Sequence, residues 1–109
     1  MIPEVGLYYS ENCYGIADAI DFTNNFLRIH ALRTKHEPAD MKQLFIYDAL
    51  FCLKRGIKPC DIQIENRIYQ NYNVLIANPT CEDIDPIIEK IKELDRVVRE
   101  VKLGETEQI

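Results

Sequence analysis

Asp18 stands in the run Gly15-Ile16-Ala17-Asp18-Ala19-Ile20, a carboxylate among apolar neighbours. An acid in such a place is unfavourable unless something ligates it or pairs with it. The chemistry it suggests is capture of a divalent ion, with Asp18 as first ligand. Metal-assisted phosphodiester hydrolysis needs carboxylates to fix the ion, a water to attack, and a cation to offset charge on phosphorus. Arg28, Arg33, Lys35 and Lys42 supply cations close by. Gln43 and Tyr47 lie four residues apart, so on a helix an amide and a phenol share a face and can converge on a phosphate or brace a site. His30 and His36 are the nearby groups that titrate near neutrality, and Asp21 and Glu37 are the neighbouring acids. Plainer roles compete at every position. Strand alternation can point Asp18 at solvent or at an arginine, Tyr47 fits a helix–sheet contact, and His30 suits a partly buried structural position.

Periodicity places these groups on elements. Val5 to Ser10 and Cys13 to Phe22 read as strands, with Glu11-Asn12 as their turn. Thr23-Asn24-Asn25 is a second turn signal, and Phe26 to His30 alternates as a third strand. Ala39 to Arg55 recurs with helical spacing through Met41, Leu44, Phe45, Leu50 and Phe51, and Gly56 is its expected C-cap. Ile62 to Gln70 alternates again, and Asn71 to Asn73 turns it into Val74-Leu75-Ile76. Thr80 to Pro86 opens a last helix, with Pro86 expected in its first turn, where a missing N–H costs little. Ile84, Ile87, Ile88, Ile91, Leu94, Val98 and Val101 then form one apolar face. The pattern predicts an α+β domain over residues 1–103: a three-stranded antiparallel meander, a helix, a β-hairpin and a C-terminal helix, forming a mixed sheet covered by helices. Residues 104–109 are expected as a frayed polar tail.

At 109 residues and 47% hydrophobic content, the chain suits one domain with a modest core. Neither a signal core nor an uninterrupted apolar span is present, so a cytoplasmic protein without membrane association is expected. Cys13, Cys52, Cys60 and Cys81 lie far apart with no Cys-x-x-Cys pair, which predicts reduced, mostly buried thiols. The net charge of −5 is unevenly distributed: residues 1–25 carry −4, residues 26–58 carry seven cations against three acids, and residues 59–109 carry −5. A dominant basic surface, the usual mark of a nucleic-acid binder, is therefore missing.

In order and interval, the Asp18 run, the run Phe26-Leu27-Arg28-Ile29-His30-Ala31-Leu32-Arg33 and the Gln43/Tyr47 helix resemble the PD-(D/E)XK nuclease superfamily, particularly phage-type exonucleases and the nuclease subunits of CRISPR adaptation systems. The resemblance spans about residues 5–100 and implies a trimmed restriction-endonuclease-like core. In that family the second strand ends in Asp-x-Lys or Glu-x-Lys, supplying a second metal-ligating acid and a cation beside the scissile phosphate. Here those positions read Ala31-Leu32-Arg33. An alanine methyl cannot ligate a metal, and an arginine cannot deprotonate to act as a general base. The resemblance thus implies vestigial positions at Asp18, Ala31, Arg33, Gln43 and Tyr47, no intact catalytic set, and Asp18 as the surviving metal ligand.

The expected function is that of a catalytically inactive nuclease-like protein of phage or mobile-element origin, a pseudoenzyme acting through macromolecular binding. One concrete form is an anti-CRISPR type inhibitor of a host defence nuclease, working in the host cytoplasm without a cofactor. Arg28, Arg33, Lys35 and Lys42 are the candidate contacts to a protein partner or to DNA. An exposed sheet edge would also admit a homodimer. The competing expectation is a residual or partner-completed DNA exonuclease, dependent on Mg²⁺ or Mn²⁺.

Overall fold

The computed structural model describes the backbone of residues 2–10, 13–34, 36 and 39–107, and the side chains of residues 6–7, 17–34, 36 and 39–103. Strands β1 (Ile2–Ser10), β2 (Cys13–Thr23) and β3 (Phe26–Leu32) are followed by helix α1 (Met41–Arg55), a 3-10 turn (Pro59–Asp61), strands β4 (Gln63–Gln70) and β5 (Asn73–Ala77), and helix α2 (Cys81–Glu107). The strands form one five-stranded mixed sheet in the order β1-β2-β3-β4-β5. All neighbouring pairs are antiparallel except β3 and β4, which run parallel from Phe26 opposite Gln63 to Leu32 opposite Tyr69. A parallel pair requires a crossover rather than a hairpin, and α1 supplies it. The expected meander, helix, hairpin and final helix are all present in that order.

Local chemistry fixes the boundaries. Asn24 and Asn25 adopt φ values of 54° and 60° in the β2–β3 turn, the left-handed region that asparagine tolerates and a two-residue hairpin demands. Asp40 caps α1 by accepting the Lys42 N–H at 3.0 Å, so the helix begins two residues after Ala39. Gly56, at φ 65°, ends α1, and the Ile57 N–H reaches back to the Cys52 carbonyl at 3.0 Å. At the start of α2, Asp83 accepts from both the N–H and the hydroxyl of Thr80, at 2.9 and 3.2 Å. Because α2 starts at Cys81, Pro86 falls inside the helix, beyond the expected first turn, and it removes the backbone bond that residue 86 would make to the Glu82 carbonyl.

The core joins Leu27, Ile29 and Ala31 of β3 and Ile64 and Ile68 of β4 to Leu44, Ala49, Leu50, Phe51 and Cys52 of α1 and to Ile84, Ile88 and Ile91 of α2. Phe22 meets Phe51 with ring centroids 5.1 Å apart. Two polar side chains lie wholly within it. Asp48 and Asn66 are each 0% exposed, and Asn66 Nδ2 donates to Asp48 Oδ2 at 2.6 Å.

Three expectations are corrected here. Cys60 and Cys81 form a disulfide: the 3-10 turn and the first residue of α2 bring their Cα atoms to 4.8 Å, a proximity that wide sequence spacing conceals. Cys52 is a buried free thiol, and burial pushes it up to about 12, with Asp48 and Asp85 adding to the shift; the Cys13 side chain lies outside the described residues. The apolar face of α2 is only partly used: Ile84, Ile88 and Ile91 are buried together with Asp95, whereas Leu94 and Val101 are 53% and 55% exposed. That helix also continues through Gly104 to Glu107, past the point where its apolar pattern breaks off. No helix among the described residues is long and apolar enough to cross a membrane.

The buried acid makes stability fall with rising pH. Burial holds the Asp48 carboxyl well above its usual 3.8, while the Asn66 hydrogen bond only partly opposes this. A carboxyl raised on folding contributes stability that is fully present below its unfolded value and is lost as pH rises through its folded value. Urea midpoints should therefore decline as pH is raised from about 4, and Asp48→Asn should flatten that slope, because its amide can donate to Asn66 Oδ1 as a protonated acid would. Ile91→Ala should cost about 2–5 kcal/mol, whereas the exposed Leu94→Ala should stay within roughly 0.5 kcal/mol in the same assay.

Candidate functional site

The β2–β3 register carries Asp18 and the end of β3 to the same place. Ala19 pairs with His30, so the next position outward sets Asp18 beside Ala31. The Leu32 N–H donates to Asp18 Oδ2 at 2.7 Å, and Arg33 Nη1 lies 3.9 Å from the same oxygen. Arg33 also donates from Nη2 to Gln43 Oε1 at 2.6 Å and from Nη1 to the Leu32 carbonyl at 3.0 Å. Its backbone N–H extends the parallel pairing by donating to the Tyr69 carbonyl at 3.0 Å. Asp18, Leu32, Arg33 and Gln43 thus form one connected polar network across β2, β3 and α1. Tyr47, one helical turn after Gln43, is half-buried against the core, which is the plainer of its two expected roles.

Both contacts to the carboxylate fall on Asp18 Oδ2. The Arg33 side chain is only 13% exposed and Asp18 is 43% exposed, so the ion pair sits at a rim where solvent still weakens it. Ala31 contributes a buried methyl to the core. Among the described residues, no trio of His, Cys, Asp or Glu side chains that includes Asp18 is close enough to hold an ion. One carboxylate facing an amide N–H and a guanidinium does not fit a divalent cation, which needs several oxygen ligands and no competing cation.

The other candidate residues lie apart from this network or are already paired. Arg28 Nε donates to Glu65 Oε1 at 2.8 Å, and its guanidinium lies 5.0 Å from the centre of the Phe26 ring. Arg67 donates to the same Glu65 oxygen, so two arginines share one carboxylate, and they hold Glu65 below the usual range. Asp21 lies opposite Arg28 in register and accepts from the Thr23 hydroxyl at 3.2 Å. Lys42 and His36 are exposed. Lys35 and Glu37 lie outside the described residues. His30 is buried, its Nδ1 2.8 Å from the Tyr69 hydroxyl and its ring stacked on Tyr69 at 5.7 Å. Burial, then Arg67 and Arg28, lower its pKa and favour neutral imidazole. It is a structural histidine, remote in role from Asp18.

Sequence reading missed Glu65, Arg67 and Tyr69, although their alternation with buried Ile64, Asn66 and Ile68 marks them as one face of β4. It also missed Asp48, an acid four residues after Leu44 and hence on the core-facing stripe of α1. Asp18→Ala should leave the Leu32 N–H to water and Arg33 without its counter-ion. At this partly exposed position the loss should be about 1 kcal/mol, read as a lowered denaturation midpoint.

Comparison with protein families, with curated protein sequences and with solved structures returns no match for this chain.

Proposed function

We propose that this chain is a nuclease-like scaffold that has exchanged metal-dependent catalysis for macromolecular binding. The observation that carries the reading is the state of Asp18: its carboxylate accepts from the Leu32 N–H and faces Arg33, while the position beside it is the Ala31 methyl. The order of elements, a strand meander, a Gln-x-x-x-Tyr helix, a hairpin and a final helix, supports the likeness to PD-(D/E)XK nucleases that the motif spacing suggests.

A protein partner is favoured over DNA. Arg28 and Arg33, two of the four candidate cations, are engaged inside the molecule by Glu65 and by Gln43 with Asp18. Residues 59–109, which include all of α2, carry eleven acids against six cations. An acidic surface suits a basic partner such as the nucleic-acid channel of a host defence nuclease, and the anti-CRISPR type inhibitor encoded by a phage or mobile element is the form this reading takes. Complementary charge of this kind mainly accelerates encounter.

Incubation with end-labelled single- and double-stranded DNA in Mg²⁺ or Mn²⁺, beside Asp18→Asn, should give no product. Melting temperatures of both proteins should respond identically to either ion, since no ligated folded site is there to be stabilised. Cleavage abolished by Asp18→Asn would restore the partner-completed nuclease and sink the present reading. In assays with CRISPR effector nucleases, the wild type should inhibit cleavage, and Glu89→Lys with Glu93→Lys should slow association several-fold at low salt but little at high salt.

A further inference from the structure

Three side chains with metal-binding chemistry meet where the 3-10 turn packs against the start of α2. Cys60 belongs to the 3-10 turn Pro59–Asp61, and Cys81 is the first residue of α2. Asp85 follows four residues later, hence on the same helix face. The two sulfurs and an Asp85 carboxylate oxygen all lie within 4.8 Å of one another. Cys60 and Asp85 are exposed and Cys81 is half-buried, so the cluster is open to solvent. A cavity of about 410 Å³, lined by Asp85, Gly56, Lys58 and Glu89 among others, opens against it.

We propose that this cluster is a redox-gated site for a borderline-soft divalent cation of the zinc class. In the oxidised chain the sulfurs are joined to each other and no ligand set exists. In the reduced chain Cys60 Sγ, Cys81 Sγ and one Asp85 oxygen bind the ion, and water completes a tetrahedron. Thiolate pairs select zinc over magnesium or calcium, and a Zn–S length of about 2.3 Å sets two ligating sulfurs roughly 3.8 Å apart, so the sulfurs, bonded to each other in the oxidised chain, separate on reduction before they ligate. Cys52 plays no part, being buried and strongly disfavoured as a thiolate. The site shares no residue with the Asp18 network.

The gating step takes two electrons from an external dithiol. The Cys60–Cys81 bond breaks, the dithiol closes to its own disulfide, and its two protons pass to the cysteine sulfurs. The incoming cation then displaces those two protons to solvent. Reduction switches the site on; a small-molecule disulfide, cleaved to two thiols as it takes two electrons, reforms the Cys60–Cys81 bond and expels the ion.

The test is a Co²⁺ titration of the full chain, reduced with a phosphine and, separately, oxidised, followed by Zn²⁺ competition. The reduced chain should give thiolate-to-cobalt charge transfer and tetrahedral visible bands saturating at one equivalent, with Zn²⁺ erasing both, while the oxidised chain gives neither. Cys81→Ser should abolish the bands, and Asp85→Asn should weaken binding at least about tenfold. Equal binding by both redox forms, no stoichiometric binding by the reduced form, or unchanged affinity in Asp85→Asn would each overturn the proposal. If reduction alone costs the chain its helical circular dichroism, Zn²⁺ should restore it, and failure to do so would also overturn it.

Discussion

Parallel pairing of β3 with β4 is the constraint on which the rest of the molecule depends. It forces the chain to leave the sheet at Leu32 and return at Gln63, and α1 makes that passage with one face against the strands. The same helix drives folding, through burial of Leu44, Leu50 and Phe51, and carries a polar link to each of the two strands it joins. Asp48 reaches Asn66 in the interior, and Gln43 reaches Arg33 at the rim. Each link ties the crossover to one of the two strands it connects, Gln43 to the end of β3 and Asp48 to the middle of β4.

The two links differ in what water does to them. The buried acid and amide leave Asp48 Oδ1 and Asn66 Oδ1 without protein partners, two acceptors that a single proton on the acid could join. An orphaned acceptor in the interior is expensive, so protonation there is part of the packing. At the rim, Asp18 and Arg33 remain in contact with solvent, which weakens their pairing.

Element order was legible because each element carries a local signal. Asn24-Asn25 and Gly56 need left-handed backbone, the Asp40 and Asp83 carboxylates accept at the two helix starts, and Ile64 to Ile68 alternate. The fold also brings Asp18, Arg33 and Gln43 together. What escaped was non-local. The Cys60–Cys81 bridge joins residues 21 apart through a fold that spacing alone cannot close. Periodicity marks an apolar face on α2 but not how much partner surface exists to cover it, so Leu94 and Val101 were read as core. Asp48 escaped for the opposite reason: composition treats an acid as surface, while its helical phase puts it inside.

Strand β5 ends the sheet with Val74, Leu75 and Ile76, each roughly half exposed, and contains neither lysine nor proline. An apolar terminal strand with unused backbone donors and acceptors invites addition of another strand, and such edges are commonly guarded by charge or proline. Here the guard is remote: the −5 net charge repels like molecules before their edges can meet. Dissolved salt shortens the reach of that repulsion to about 8 Å at physiological strength. Added salt therefore lets two such edges approach more closely than dilute buffer does.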